Sequence, residues 1–491
     1  MLEQTLTLIL AGGQGSRLQP LTRDRAKPAV PFGGKYRIID FTLANCLHSG
    51  LRRILVLTQY KSLSLQKHLR DGWSLFNPEL GEYITPVPPQ MQTGERWYGG
   101  TADAVFQNLY LLRRSGARWV LILSGDHIYR MDYAPLLEFH KQHQSGLTLA
   151  CREVFLDQAR QFGILSVNGE SLATQFEEKP EQPTPITGEP GRALASMGIY
   201  LFSMDLLLET LEQDHLREES SNDFGHDIIP GLIETQEVYA YRFGGETGRV
   251  SQDRYWRDVG TIDGYYEANM DLLNPEPSLD LYQSNWPIRT HQVQNPPART
   301  VPGVGGSEGI FINSIVGGGA VIKGGSVQHS ILFPQVYVGD EAVVHDSILF
   351  SGVRVGSSAE IQNCIIDKGV EVPPGERIGF DPEQDRARFP EAGDDGAVAA
   401  RDTVFEGHRT PGRCNAFRVH QVLDAVRNAV ERAAVTYFSW AALGYSFKFV
   451  WAPVIDKLPL PLLPRLFGRR RAWLLVAQVA VISAICWMAF T

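Results

Sequence analysis

Thr5-Leu6-Thr7-Leu8-Ile9-Leu10-Ala11-Gly12-Gly13-Gln14-Gly15-Ser16-Arg17-Leu18 is the stretch on which the reading of the whole chain turns. Residues 5–11 are a short apolar run closed by Gly12 and Gly13, the pattern of a buried strand feeding a glycine loop. Such a loop lets backbone N–H groups approach phosphates or a base edge, and Arg17 adds charge suited to a triphosphate. It is not a P-loop, which needs GxxxxGK, and it lacks the third glycine of a dinucleotide fingerprint. Taken alone, a glycine turn is at least as often only a turn.

The neighbouring sequence supplies context. Arg25-Ala26-Lys27-Pro28 follows closely, so Arg17, Arg25 and Lys27 could converge on one anion, or form a solvated charged loop. Arg53–Thr58 and Trp119–Ser124 are further β-rich runs, and Thr101–Arg114 has apolar residues at helical spacing. Asn168-Gly169 reads as a hairpin turn. Strands alternating with helices predict an α/β domain over residues 1–275, built on a parallel sheet covered on both faces.

One strand end carries Leu121-Ile122-Leu123-Ser124-Gly125-Asp126-His127. Ligands of open α/β sheets bind at such carboxyl ends, and a carboxylate there suits Mg²⁺, which takes one or two protein oxygens plus phosphate oxygens. Asp258, in Tyr255-Trp256-Arg257-Asp258-Val259-Gly260, is a candidate partner. A lone Asp at a strand end is more often a cap, and His127 is read as structural.

Residues 276–310 are rich in Pro, Asn, Ser and Gly and read as a linker. Beyond them the period changes to six: Ile315, Val321, Val327, then Val336, Ala342, Ile348, then Val353, Ala359, Ile365. Six-residue repeats are the signature of a β-helix, expected here over residues 311–405. The breaks between the three runs leave the coil boundaries open. Residues 406–430 form a second linker.

Charge is unevenly placed. Residues 1–400 hold 34 Lys+Arg against 50 Asp+Glu, whereas 401–491 hold 12 against 5. An acidic body argues against general nucleic-acid binding. The cysteines Cys46, Cys151, Cys364, Cys414 and Cys486 are scattered without zinc or redox spacing, which suits a reducing, cytoplasmic setting. No signal-peptide pattern opens the chain. Ala472–Thr491 is free of charge and long enough to span a bilayer, with Arg469-Arg470-Arg471 predicted on the cytoplasmic side.

Read together, the run LILAGGQGSRLQPLTRDRAKPAVPFGGKYRIIDFTLANCLHSG resembles the opening of bacterial ADP-glucose pyrophosphorylases. WYGGTADAV, SGDHIYRMDY, FGILSV, FEEKP, ASMGIY, NDFGHDIIP, YWRDVGT and NWPIRT follow in that family's order, so the resemblance covers about residues 5–405. It implies a Rossmann-like nucleotidyltransferase domain joined to a left-handed parallel β-helix, in a homotetramer. The implied reaction joins ATP and glucose 1-phosphate, with Mg²⁺ as cofactor. Carried onto this chain, Gly12, Gly13, Gly15 and Arg17 hold ATP with Lys27 assisting, and Asp126 and Asp258 bind the metal. Tyr98, Gly163, Glu178, Lys179 and Ser196 contact glucose 1-phosphate.

The same resemblance implies allosteric control by a phosphorylated metabolite through Arg25, Arg37, Arg114, Lys368 and Arg401. Enterobacterial-type members carry a lysine before, and a histidine after, the RAKP motif; this chain has Asp24 and Pro31 there. A carboxylate at a bisphosphate site repels its ligand, so the effector's identity stays open. Residues 431–491 are outside this family and resemble an internal stretch of muropeptide-permease-like major facilitator transporters, which suggests a membrane anchor or a fused fragment. The rival readings are a nucleotidyltransferase for another NTP, a non-catalytic regulatory subunit and a membrane transport protein.

Overall fold

A computed structural model describes residues 1–90, 97–244, 254–381, 385 and 398–400. The expected catalytic region is built on a nine-stranded sheet. Its strands are β1 (Thr5–Ala11), β2 (Arg53–Thr58), β3 (Tyr83–Val87), β4 (Trp119–Ser124), β6 (Leu147–Phe155), β7 (Gly163–Val167), β8 (Ala173–Glu178), β9 (Arg192–Ser203) and β10 (Val238–Arg242). A separate ladder joins β5 (His127–Tyr129) to β11 (Trp256–Asp258). The order is β8-β7-β9-β4-β1-β2-β3, with β6 and then β10 added on β9.

Period-two alternation in fully apolar strands fills both faces. Leu6 and Leu8 enter one core while Ile9 and Ala11 enter the other, and β4 divides its residues the same way. Helices therefore cover both sides, as the near-continuous apolar runs require. The sheet is mixed rather than parallel, however. The β1, β2, β3 and β4 pairings are parallel, but β9 runs antiparallel to β4, β6 and β7. The expected hairpin explains part of this: β7 and β8 pair antiparallel, and Asn168 Oδ1 accepts from the N–H groups of Glu170 and Leu172 across the turn. The single helix expected over Thr101–Arg114 is two, α1 (Thr101–Phe106) and α2 (Leu109–Ser115), broken at Asn108, whose amide bonds Ala104 O.

The repeats form a three-faced β-helix. It begins at Arg299–Val301, inside the stretch read as linker, because that strand already pairs with Val321–Lys323. On one face Ile315, Ile331, Ile348 and Ile365 stack in register, so one coil takes 16 residues and the next two take 17. Coils shorter than three sixes account for the breaks in the sequence pattern. Each corner is turned by a residue at positive φ. One corner uses Asn313, His329, Asp346 and Asn363; the others include Gly352 at +77° and Gly375 at +71°. Short polar side chains and glycine tolerate that region best.

The β-helix is sewn to the catalytic region. Ile331, Ile348, Phe350 and Ile365 share a core with Tyr265 and Leu272, and the Tyr266 hydroxyl, on α3 (Ile262–Met270), donates to Asp346 O at 2.6 Å. Among the described residues no helix is long and apolar enough to cross a membrane. The expected membrane segment, Ala472–Thr491, and Arg401 lie outside the described residues.

Candidate active site

The glycine loop leaves β1 and is held by its own neighbours. Gly15 has φ +63°, and its carbonyl accepts from Thr22 Oγ1 at 2.7 Å. A Cβ on Gly12 would meet Gln59 at 3.1 Å, so the loop lies against that buried amide. Gly13, Gly15, Ser16, Arg17, Lys27, Asp126 and Gly260 line one cavity of about 170 Å³.

Two carboxylates far apart in sequence meet on Lys27, which lines that cavity with one of them, Asp126. Asp126 follows β4, and the antiparallel ladder pairs Asp258 with His127. Lys27 places its ammonium 2.9 Å from Asp126 Oδ2 and 2.8 Å from Asp258 Oδ1. Burial would lower the Lys27 pKa, but the two carboxylates outweigh it and the net direction is upward. Burial likewise works to raise Asp126, yet the charges of Lys27 and His127 hold it well below the ordinary carboxylate range. Both groups are therefore charged at neutral pH. A Cβ on Gly260 would meet the Asp258 carboxylate at 3.1 Å and Arg17 Nη2 at 3.3 Å, which locates the guanidinium beside this pair.

The donor set suits a hard divalent cation. Two carboxylate oxygens already embrace one positive charge at a strand end, and such an ion completes its shell with water and phosphate. Among the described residues no cluster of three His, Cys, Asp or Glu side chains could hold a metal by protein alone.

The residues read as sugar-phosphate contacts form a second group. Glu178 lies between two glycines: a Cβ on Gly163 would meet its Oε2 at 2.9 Å, and one on Gly225 at 2.6 Å. Ser196 stands where the register of β9 shifts, and Gly198 at φ +65° makes the irregularity. Bulges re-aim side chains in this way. Burial raises the Tyr200 phenol, which bonds Ser196 and feels the charges of Glu178 and Asp223, so these four side chains are neighbours. Tyr98 receives a 3.0 Å bond on its hydroxyl from Asn108, and its carbonyl accepts from Gln59, tying it to the loop. Lys179 ion-pairs with Glu178 and lines a separate open cavity with Arg160. The structure thus does not bring Lys179 into the Lys27 cavity.

Two groups placed here, Asp223 and Trp256, were given no role by the sequence, and His127 only a structural one. Asp223 accepts from Thr101 Oγ1 at 2.9 Å and from the N–H groups of Gly225 and His226. His127 Nε2 lies 3.7 Å from Asp126 and 4.0 Å from Asp258, and its ring packs edge-on to Trp256. His127 Nδ1 and Trp256 Nε1 are buried without a partner among the described residues. The SGDHIYRMDY, NDFGHDIIP and YWRDVGT blocks contained these residues, but nothing in their local spacing separates a ligand contact from a cap.

Of the residues expected to bind an effector, three gather where the catalytic region meets the β-helix. Arg25 is buried and donates through Nη2 to both oxygens of Asp367, at 2.9 and 3.0 Å, while its Nη1 is buried without a partner among the described residues. Arg37 donates to Ser64, and burial lowers its pKa. Lys368 stands at the exposed rim, where packing and the charges of Arg25 and Arg37 draw its ammonium down to about 8. Arg114 is exposed at the end of α2, and the family resemblance alone groups it with the others.

Comparison with known proteins agrees with this architecture. Residues 6–275 match the nucleotidyl transferase family and residues 296–399 the GlmU-like C-terminal hexapeptide family. Residues 417–491 match a family described as acetyl-coenzyme A transporter 1. The chain is 62% identical to glucose-1-phosphate adenylyltransferase 2 of Vibrio parahaemolyticus, over 79% of this chain and 96% of that protein. It is 60% identical to the enzyme of the same name from Vibrio cholerae, over 79% and 95%. To the glucose-1-phosphate adenylyltransferase of Nitrosomonas europaea it is 48% identical, over 78% and 90%. With two thirds and more of those relatives covered at such identity, the chain belongs to the glucose-1-phosphate adenylyltransferase family of nucleotidyl transferases.

Proposed function

We propose that this chain transfers the adenylyl group of ATP to glucose 1-phosphate, giving ADP-glucose and pyrophosphate for α-glucan synthesis. The observation that carries the reading is the Lys27 ammonium seated between Asp126 and Asp258 beside the glycine loop. In the reaction a phosphate oxygen of glucose 1-phosphate attacks the α-phosphorus of ATP, and the bond to pyrophosphate breaks in line. The nucleophile is already an anion, so no strong general base is required. Catalysis consists of positioning and of neutralising charge as it develops.

The loop N–H groups at Gly12, Gly13 and Gly15 and the Arg17 guanidinium take the triphosphate. Glu178, Ser196 and Asp223 orient the sugar, and Lys179 pairs with its phosphate. Asp126 and Asp258 would hold Mg²⁺, which when bound neutralises phosphate oxygens. Were those carboxylates so engaged, the Lys27 ammonium beside them would be free to pair with phosphate oxygens. Pyrophosphate release from ATP plus glucose 1-phosphate tests the reading, with UTP and dTTP in parallel. Preference for a pyrimidine nucleotide overturns it.

Control by a phosphorylated metabolite is part of the same proposal. Its support is the gathering of Arg25, Arg37 and Lys368, with Arg25 paired to Asp367 and the Lys368 ammonium facing the two guanidinium groups. A homotetrameric assembly rests on the family resemblance.

A further inference from the structure

The glycine loop and Lys27 belong to one stretch of chain that leaves β1, and β2 ends beside it, Ala11 pairing with Thr58 in the parallel ladder. Gln59, Tyr60 and Lys61 follow β2, and two of them hold that stretch at its opposite ends. At the near end Gly12 lies against Gln59, where an added Cβ would stand 3.1 Å away. At the far end Lys61 makes two contacts. Its ammonium donates to Thr22 O at 3.0 Å, and its carbonyl accepts from the Ala26 N–H at 3.3 Å. Thr22 is buried, and its hydroxyl donates onward to Gly15 O at 2.7 Å.

One path of hydrogen bonds thus runs from Lys61 through Thr22 to Gly15, and a second reaches the residue next to Lys27. The packing between them is tight. A Cβ on Gly15 would meet Thr22 Cγ2 at 3.0 Å and Lys27 Cβ at 3.3 Å, so Thr22 cannot move without disturbing both. Lys61 itself is an exposed residue whose ammonium gives up rotamer freedom to hold a backbone carbonyl. Its φ is +47°, and such conformations in residues other than glycine persist where the surroundings fix them and gather at functional sites.

We propose that Lys61 is a positioning residue for the triphosphate: it sets the spacing between the glycine loop and Lys27 without touching substrate. The inference rests on the adenylyl-transfer reading, in which the loop N–H groups and Lys27 meet the phosphates, and adds the side chain that keeps those donors in register.

Calorimetric titration of the full chain with ATP in the presence of Mg²⁺, and pyrophosphate release with each substrate varied in turn, test this. Lys61→Met is expected to weaken ATP binding and lower kcat/KM for ATP by about tenfold, the worth of one charge-assisted hydrogen bond. The KM for glucose 1-phosphate should change by less than about twofold, because its contacts lie on other strands. Lys61→Arg, which can still donate to Thr22 O, should restore most of the ATP affinity. Lys67→Met, which removes an exposed lysine from the helix Leu63–Trp73, should alter neither substrate. A lysine that only stabilised the fold would instead lower the thermal midpoint and weaken both substrates alike. Unaltered ATP affinity in Lys61→Met, an equal loss in Lys61→Arg, or equal weakening of both substrates overturns the proposal. A parent chain that binds ATP but makes no ADP-glucose refutes the reaction, while the titration still judges Lys61; a parent that binds no ATP overturns both.

Discussion

Lys27 and Lys368 show two ways of crowding an ammonium. Lys27 is buried with two carboxylates, and its pKa rises; Lys368 is packed at a rim with two guanidinium groups, and its pKa falls to about 8. On the proposed reading the first site is balanced in advance and exchanges partners when substrate arrives, whereas the second gains by binding an anion. Both are clusters of basic side chains, but one ammonium is held by carboxylates and the other is crowded by burial and guanidinium groups.

Severing the link between the two regions should have the largest effect. Arg25→Met leaves Asp367 buried without its guanidinium and is expected to cost about 3–5 kcal/mol in urea unfolding. Adding Asp367→Leu should recover much of that. A single variant as stable as the parent would show that the bridge is not a joint of the fold.

At the balanced site, Asp126→Asn should lower turnover at least about 10²-fold in a pyrophosphate-release assay, the scale of a lost electrostatic contact. An unchanged rate removes Asp126 from the mechanism. The pH response sharpens the contrast further. Lys368 loses its proton as pH rises through about 8, so phosphate-effector affinity should fall by about tenfold between pH 7 and 9.5, one charge-assisted contact being lost. Lys368→Met should flatten that profile, and a profile equally steep in the variant refutes the assignment. The corresponding effect on stability is small, because an exposed rim position is screened by water.

The smallest effect is expected where charge is merely paired on the surface. Arg113 and Glu212, both about half exposed, form an ion pair whose removal by Arg113→Ala should change unfolding free energy by about 1 kcal/mol or less. A larger loss would mean that this pair, too, belongs to a built site.

Much of the fold was legible because its signals are local. The strand entering the glycine loop, the hairpin at Asn168-Gly169 and the six-residue repeat all arise from periodicity and turn chemistry within a few residues. The antiparallel insertion of β9 was not legible, since strand direction depends on which distant strands meet. The start of the β-helix at Arg299 was missed for a related reason: a first coil rich in Pro and Gly differs from a linker only through its pairing with Val321–Lys323.

The sequence alone determined the family, the glycine loop and the residue types available for phosphate chemistry, because ordered blocks of side chains are a one-dimensional record. Only the tertiary structure decided that Lys27 stands between Asp126 and Asp258, that Arg25 reaches across to Asp367, and that Lys179 opens onto a separate cavity. Electrostatic roles depend on separations of a few ångströms and on exclusion of water. Residues distant along the chain acquire both only when the sheet and the β-helix pack.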